Sequence, residues 1–375
     1  MRRLRVGVIG CGLIAQVMHL PFLREMGDRF RIAALCDLSR ETVAILGDAY
    51  DVPHRHTRWQ ELLTEDLDAV LICTSGSHAQ PAIAAARAGR HVFVEKPMCF
   101  SPREADAMIE AASVAGVTLM VGNMKRFDPA YERARPLIAG MADLRLARIT
   151  TLEAPFLPYV EHYPLVRRDD VAAETLAGLR AESEVLIEES LGADASPPVR
   201  RLYADVLLDT LIHEVNAMRG LLGEPEEVAS AEAWMGTEGL TAVFRYPGDA
   251  RCVMTWVNLP ALRNYSMELA FYSPTDRVTL RYPSPFLRHA PTSLLVEGTE
   301  DGAHCETTVT VSYQEAFRRE LEHFHACVME NRVPLTSGQE GRQDLVVLLA
   351  IARAVATGRP QPIALPAPRR DLESA

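Results

Sequence analysis

Apolar residues come in two different rhythms along this chain. Residues 4–9, 31–36, 69–73, 91–94 and 117–121 are short apolar runs rich in β-branched side chains. Between them, residues 13–26, 40–50, 79–88 and 102–115 repeat their apolar positions at helical spacing. Strands of this length alternating with helices predict βαβ units and a doubly wound parallel sheet. Ser101-Pro102 reads as a helix start, with a capping hydroxyl followed by proline in the first turn. Pro21 is expected to kink the first helix or end it early.

Beyond about residue 125 the rhythm changes. Residues 145–151, 226–235, 240–246, 251–258, 266–272, 277–282, 293–296 and 305–312 read as strands, most of them following one another without intervening helices. Turn residues such as Tyr246-Pro247-Gly248-Asp249 separate them, which predicts a large, mainly antiparallel open sheet in an α+β second domain. Helices are expected at 205–222, 314–330 and 339–357. The expected boundaries are 1–122 for the first domain, 123–358 for the second with a helical insertion at 156–202, and 359–375 for an irregular tail. Within the insertion, 169–191 is acidic and helical in pattern, with Leu176, Leu179 and Leu186 on one face. A surface helix packed on the second domain, an active-site lid and a subunit contact all suit that pattern.

Composition narrows the picture. Fifty acidic residues against 39 basic ones give a formal net charge of −11 over 375 residues, which argues against a phosphate backbone as partner. The seven cysteines form no C-x-x-C pair and read as small core residues of a reducing compartment. The basic start is followed by an apolar run that Gly7 and Gly10 interrupt, and no stretch of about 18 apolar residues is present, so no membrane span is expected and the expected location is cytoplasmic. His54-x-His56 and His323-x-His325 lack further ligands at zinc spacing, and no metal is expected.

Gly10-Cys11-Gly12-Leu13-Ile14-Ala15 follows the first strand and opens a helix. Gly10 permits a tight turn, Gly12 lets the backbone approach a pyrophosphate, and Ala15 allows close helix–strand packing. The free N–H groups of Leu13 and Ile14 at the helix start suit phosphate. Asp37, 22 positions after Ala15 at the end of the second strand, is placed to accept hydrogen bonds from ribose hydroxyls. The same carboxylate would repel a 2′-phosphate, so NAD is expected over NADP, although Arg40 is close enough to pair with such a phosphate. Thr74, Ser75 and His78 follow the 69–73 run at its carboxyl end, where open α/β sheets bind ligands, and are further candidate cofactor contacts.

Glu95-Lys96-Pro97 runs off the next strand, and a lysine there can hydrogen-bond an alkoxide beside a cofactor. The Lys96-Pro97 bond is a candidate cis peptide. Asp209 and His213 are spaced to share a helix face, and a histidine suits proton abstraction near neutral pH. With the glycine motif, Glu95-Lys96-Pro97, residues 122–129 and residues 317–324, the chain resembles the family of glucose–fructose oxidoreductase, inositol dehydrogenase and rhizopine catabolism proteins. That resemblance implies an N-terminal Rossmann domain, NAD, and a sugar, cyclitol or glycoside-type substrate oxidised at a secondary hydroxyl or reduced at the ketone. It implies catalytic Lys96, Asp209 and His213, and Glu95, Asn123 and Arg126 beside the cofactor. It also implies a homodimer or homotetramer paired through the C-terminal sheet. Departures from the family pattern, Tyr203-Ala204-Asp205-Val206 and Ile212 where glycines are common, fall on the substrate side. Two other functions fit the same motifs: a dinucleotide-sensing regulator without turnover, and a glycoside-cleaving enzyme that oxidises its substrate transiently.

Overall fold

The computed structural model describes residues 2–364. Six parallel strands form the first sheet: β1 (Leu4–Ile9), β2 (Phe30–Cys36), β3 (His54–His56), β4 (Ala69–Ile72), β5 (His91–Glu95) and β6 (Leu119–Gly122), in the order β3-β2-β1-β4-β5-β6. Every residue of β4 is buried, as a strand covered on both faces requires. The order reverses between β1 and β4, and the crevice at their carboxyl ends is where such sheets hold ligands. The polar edge strand β3, His-Arg-His, has no apolar rhythm and is not legible in the sequence.

Pro21 acts as expected, with a specific outcome. It lacks the N–H that would close on Val17, and residues Ala15–His19 wind as a π-helix before an α-helix resumes at Leu20–Glu25. A helix at Pro129–Ala139 went unread because Pro136 interrupts its pattern; Asp128 caps it by accepting the N–H groups of Ala130 and Tyr131.

The second sheet has nine strands: β7 (Leu146–Glu153), β8 (Glu227–Trp234), β9 (Gly239–Arg245), β10 (Arg251–Asn258), β11 (Ser266–Tyr272), β12 (Arg277–Tyr282), β13 (Ser293–Glu300), β14 (Ala303–Thr310) and β15 (Gln361–Pro362). Their order is β14-β13-β12-β11-β7-β10-β9-β8-β15, antiparallel except for the central β7–β10 pair. The chain leaves β7 through the insertion and a long helical segment before returning, which permits the parallel pairing. β13 runs four residues longer than expected, and β14 keeps its expected length but starts two residues earlier. Asp301 and Gly302, both at positive φ, make a two-residue turn between them. β15 is a correction to the irregular tail: Gln361 and Pro362 add an edge to β8. The rest of that expectation, 365–375, lies outside the described residues.

The C-terminal helices serve both halves. Helix Ala316–Glu330 packs on the parallel sheet, with Phe324 edge-on to Phe93 and Phe317 edge-on to His19. Helix Gly338–Thr357 lies so close to the same sheet that a Cβ on Gly341 would come within 2.9 Å of the Val121 side chain on β6. Among the described residues no helix is long and apolar enough to cross a membrane.

Candidate active site

The glycine turn is built by sterics. Gly10 has φ of 90°, and a Cβ there would meet the Cys73 carbonyl carbon and the Thr74 nitrogen at 2.6 Å, so only glycine fits. Gly12 is the opposite case: a Cβ would meet nothing within 4 Å, because its face opens into the crevice. Ala15 is fully buried beneath the turn, while Leu13 and Ile14 are half-buried at its lip. Asp37 sits just past β2, where one carboxylate oxygen accepts the Cys11 N–H at 2.8 Å and the other accepts the Ser39 N–H at 2.9 Å. The strand-end carboxylate is thereby fixed against the glycine loop.

Thr74 and Ser75 line the neighbouring loop, half-buried and exposed respectively. His78 differs from the expectation of a cofactor contact. It is buried, its Nε2 lies 2.8 Å from the Thr74 carbonyl, and burial lowers its pKa, so it braces the loop from behind as a neutral ring. Arg126 is a second correction. Its buried guanidinium donates to the Asn216 carbonyl at 3.3 Å and lies 3.6 Å from Glu340, tying helix Ile212–Leu222 to the last helix. Asn123 at the start of the 124–127 turn is buried with neither side-chain polar atom partnered. Orphaned amide groups of that kind await a polar ligand group.

Glu95 ends β5 with its carboxylate turned inward. Oε1 meets His19 Nε2 at 2.5 Å and Oε2 accepts the Lys96 N–H at 3.2 Å. His19 carried no sequence signal, since a lone histidine on an apolar helix face is commonly core. The Lys96-Pro97 bond is cis. Lys96 reaches across to the second half of the molecule: its Nζ donates to the Asp209 carbonyl and lies 3.6 Å from Asp209 Oδ1. Asp209 belongs to a π-helical segment, Leu202–Leu211, that passes into the α-helix carrying His213. The expected one-turn spacing of Asp209 and His213 is therefore altered at the junction, with Asp209 largely exposed and His213 turned inward. The His213 Nδ1 is buried without a partner, so the two side chains are not joined as a relay.

Burial pushes the His213 pKa well below the ordinary histidine value of 6.5, and the positive charges of Lys96 and Lys125 push it further. Lys125 was missed at the sequence level, although it lies between Asn123 and Arg126. Its buried Nζ donates to the Tyr265 hydroxyl at 3.2 Å and neighbours Glu214 and Glu153. Glu214 accepts from Thr151 at 2.7 Å, and its other oxygen is buried without a partner. Burial, reinforced by Glu214, raises the pKa of Glu153. A cleft thus has a glycine loop and strand-end carboxylate along one wall. Along the other stand an ammonium group, a neutral imidazole and a floor of polar groups on the β7 face.

A dinucleotide-binding sheet joined to a polar cleft of this composition defines an oxidoreductase of the nicotinamide-dependent class. Residues 4–123 match the model of the oxidoreductase family with the NAD-binding Rossmann fold. That match places the first third of the chain in the glucose–fructose oxidoreductase, inositol dehydrogenase and rhizopine catabolism family. It is 23% identical to a myo-inositol 2-dehydrogenase of Thermotoga maritima, covering 94% of this chain and 96% of that one. It is 26% identical to a 1,5-anhydro-D-fructose reductase of Ensifer adhaerens, covering 95% and 97%. The fold is also that of a levoglucosan dehydrogenase solved with NADH and L-sorbose, at a TM-score of 0.77 and 18% identity over 98% of this chain and all of the other. The open face of Gly12, the Asp37 carboxylate beside the glycine loop and the unpartnered Asn123 amide fit NAD.

Proposed function

We propose that the protein oxidises a secondary ring hydroxyl of a sugar, cyclitol or glycoside-type molecule, or reduces the matching ketone, with Lys96, Asp209 and His213 as the reacting constellation. The observation that supports it is the meeting of Lys96, from the carboxyl end of β5, with Asp209, just before the helix that carries His213. NAD, when bound, supplies the hydride acceptor or donor for the carbon. His213, kept neutral by burial and two nearby cations, takes the hydroxyl proton in oxidation and returns it in reduction. The Lys96 ammonium group hydrogen-bonds the same oxygen as negative charge develops on it. Asp209 holds Lys96 and accepts from an adjacent substrate hydroxyl. Glu153, Glu214 and Lys125 offer donors and acceptors for further hydroxyls, which is the lining a polyol needs.

Turnover of NAD with a panel of sugars, inositols and glycosides tests the reading. Lys96→Met and His213→Ala are each expected to lose about 10²–10⁴-fold in kcat while still binding NADH. Near-normal rates in both variants would remove the assignment. The same reading has chains pairing through the outer face of the nine-stranded sheet, where Arg148, Glu268 and Arg281 form an ion-pair row, in the cytoplasm, where the free cysteines stay reduced. Light scattering giving a dimer or tetramer mass is the expected result.

A further inference from the structure

The 156–202 insertion is anchored on the wrong side for a simple appendage of the second sheet. Its Val166 exchanges two hydrogen bonds with the side chain of Gln16, just after the glycine loop, at 2.8 and 2.9 Å. Two residues on, Arg168 pairs with Glu41 at 3.3 Å. Asp170 Oδ2 then accepts the Glu41 N–H at 3.0 Å. Helix Ala173–Leu191 continues past the β4 loop, where Gln80 donates to Glu182 at 2.8 Å, and Ser190 donates to the Phe100 carbonyl at 3.0 Å. The contacted positions follow β1, β2, β4 and β5 in turn. The insertion is a strap laid along the carboxyl ends of the strands that frame the dinucleotide crevice.

What the strap brings to the end of β2 is a charge. Helix Arg40–Ala49 begins there, capped by Ser39, whose hydroxyl accepts the Thr42 N–H at 3.0 Å. Free N–H groups and the positive end of the helix dipole make this turn an anion site. Two carboxylates already occupy it. Asp37 accepts the Ser39 N–H and Asp170 accepts the Glu41 N–H, and the polar groups of this turn hold the Asp170 carboxyl below the usual range. The Asp37 carboxylate also touches the glycine loop through Cys11, so the turn is continuous with the cofactor site.

We infer that Asp170 is a specificity-determining residue: a strap-borne carboxylate that fills the anion site a 2′-phosphate would need, and so selects NAD against NADP. The inference rests on the dinucleotide lying along the glycine loop. A 2′-phosphate carries a charge of about −1.5 to −2 and would meet Asp37 and Asp170 together. Exposed Arg40 opens that turn, and Arg168 of the strap pairs with Glu41 beside it. Removing Asp170 vacates the Glu41 N–H beside Arg40, converting a repulsive turn into a phosphate site.

Binding of NADH and NADPH to the full-length protein, followed by cofactor fluorescence, tests this without any substrate. In Asp170→Ala the ratio of NADPH to NADH affinity is expected to rise at least about tenfold, the scale of one relieved like-charge contact. Asp170→Asn, which keeps an acceptor but loses the charge, is expected to rise less. If both affinities fall in step, Asp170 merely clamps the strap and the inference is overturned; an unchanged ratio in both variants overturns it equally. Failure of the wild-type protein to bind either dinucleotide would instead count against the proposed function.

Discussion

His213 is the side chain whose chemistry depends most on its surroundings. Burial comes first and the Lys96 and Lys125 charges second, and both disfavour the imidazolium form. A base held neutral works at lower pH than an ordinary histidine. The acid limb of the kcat/KM profile is therefore expected below 6.5, the ordinary value. Lys125→Met removes one of the cations, so proton binding to His213 becomes easier and the limb should move to higher pH. A limb that stays in place, or moves lower, would show that Lys125 does not bear on the base. At this scale the sequence was informative where chemistry demands a residue type in a fixed context. Gly10, Asp37, Lys96 and His213 all announce themselves by motif and spacing. It was uninformative about direction. Arg126 and His78 have the right chemistry and the right neighbourhood, yet they point behind the site, and Lys125 points into it. Whether a side chain faces a cleft or a neighbouring helix is decided by packing that no local pattern records.

The strand–turn–helix element at the start of the chain separates fold from binding within three residues. Gly10→Ala places a methyl group 2.6 Å from the backbone between Cys73 and Thr74, at a φ that L-residues avoid. It should destabilise the protein by about 1–3 kcal/mol and weaken NADH binding as the turn shifts. Gly12→Ala meets no atom of the protein. It should leave Tm unchanged within a degree or so while reducing NADH affinity, because its methyl projects into space reserved for the pyrophosphate. Thermal melts and fluorescence titration of the two variants check the contrast, and equal losses of Tm would contradict it. Elements with strong periodicity and good punctuation were legible nearly to the residue: β10, β11 and β12 and helix Pro102–Ala115 match their expected limits. Those built from polar or proline-broken segments were not, as β3, β15 and helix Pro129–Ala139 illustrate. The π-helical turns at Ala15–His19 and Leu202–Leu211 also escaped, because a one-residue widening leaves the apolar rhythm almost intact.

At the scale of the whole molecule, the two walls of the cleft must be held in register although they come from different sheets. The last helix does this. Thr336, just before it, donates its hydroxyl to the Val121 carbonyl at 2.7 Å and accepts the Val121 N–H at its own carbonyl at 2.8 Å, fixing the chain to the end of β6. From there the helix presents Glu340 and Asp344 to the helix carrying His213. Arg219 of that helix is almost fully buried, donates to the Glu340 carbonyl at 3.0 Å and to both oxygens of Glu224, and pairs with Asp344. Asp344 is completely buried and also accepts from Asn216 at 2.8 Å. Burial pushes the Asp344 carboxyl up to about 6 even against the pull of Arg219, so the arginine is what keeps a charge tolerable there. Arg219→Met strands that carboxylate, and a loss of about 3–5 kcal/mol is expected at neutral pH. Removing the stranded charge as well, in Arg219→Met with Asp344→Leu, should recover most of the loss, since an apolar pair of similar volume replaces a buried ion pair at little cost. Urea unfolding midpoints of the single and double variants read the difference directly. The same substitutions separate register from stability. If the network aligns His213 with Lys96, the double variant should regain its midpoint but not its full kcat, because leucine and methionine do not reproduce the directional hold of a guanidinium on two carboxylates and a carbonyl. Full recovery of both would show that the helices are held in register by packing alone.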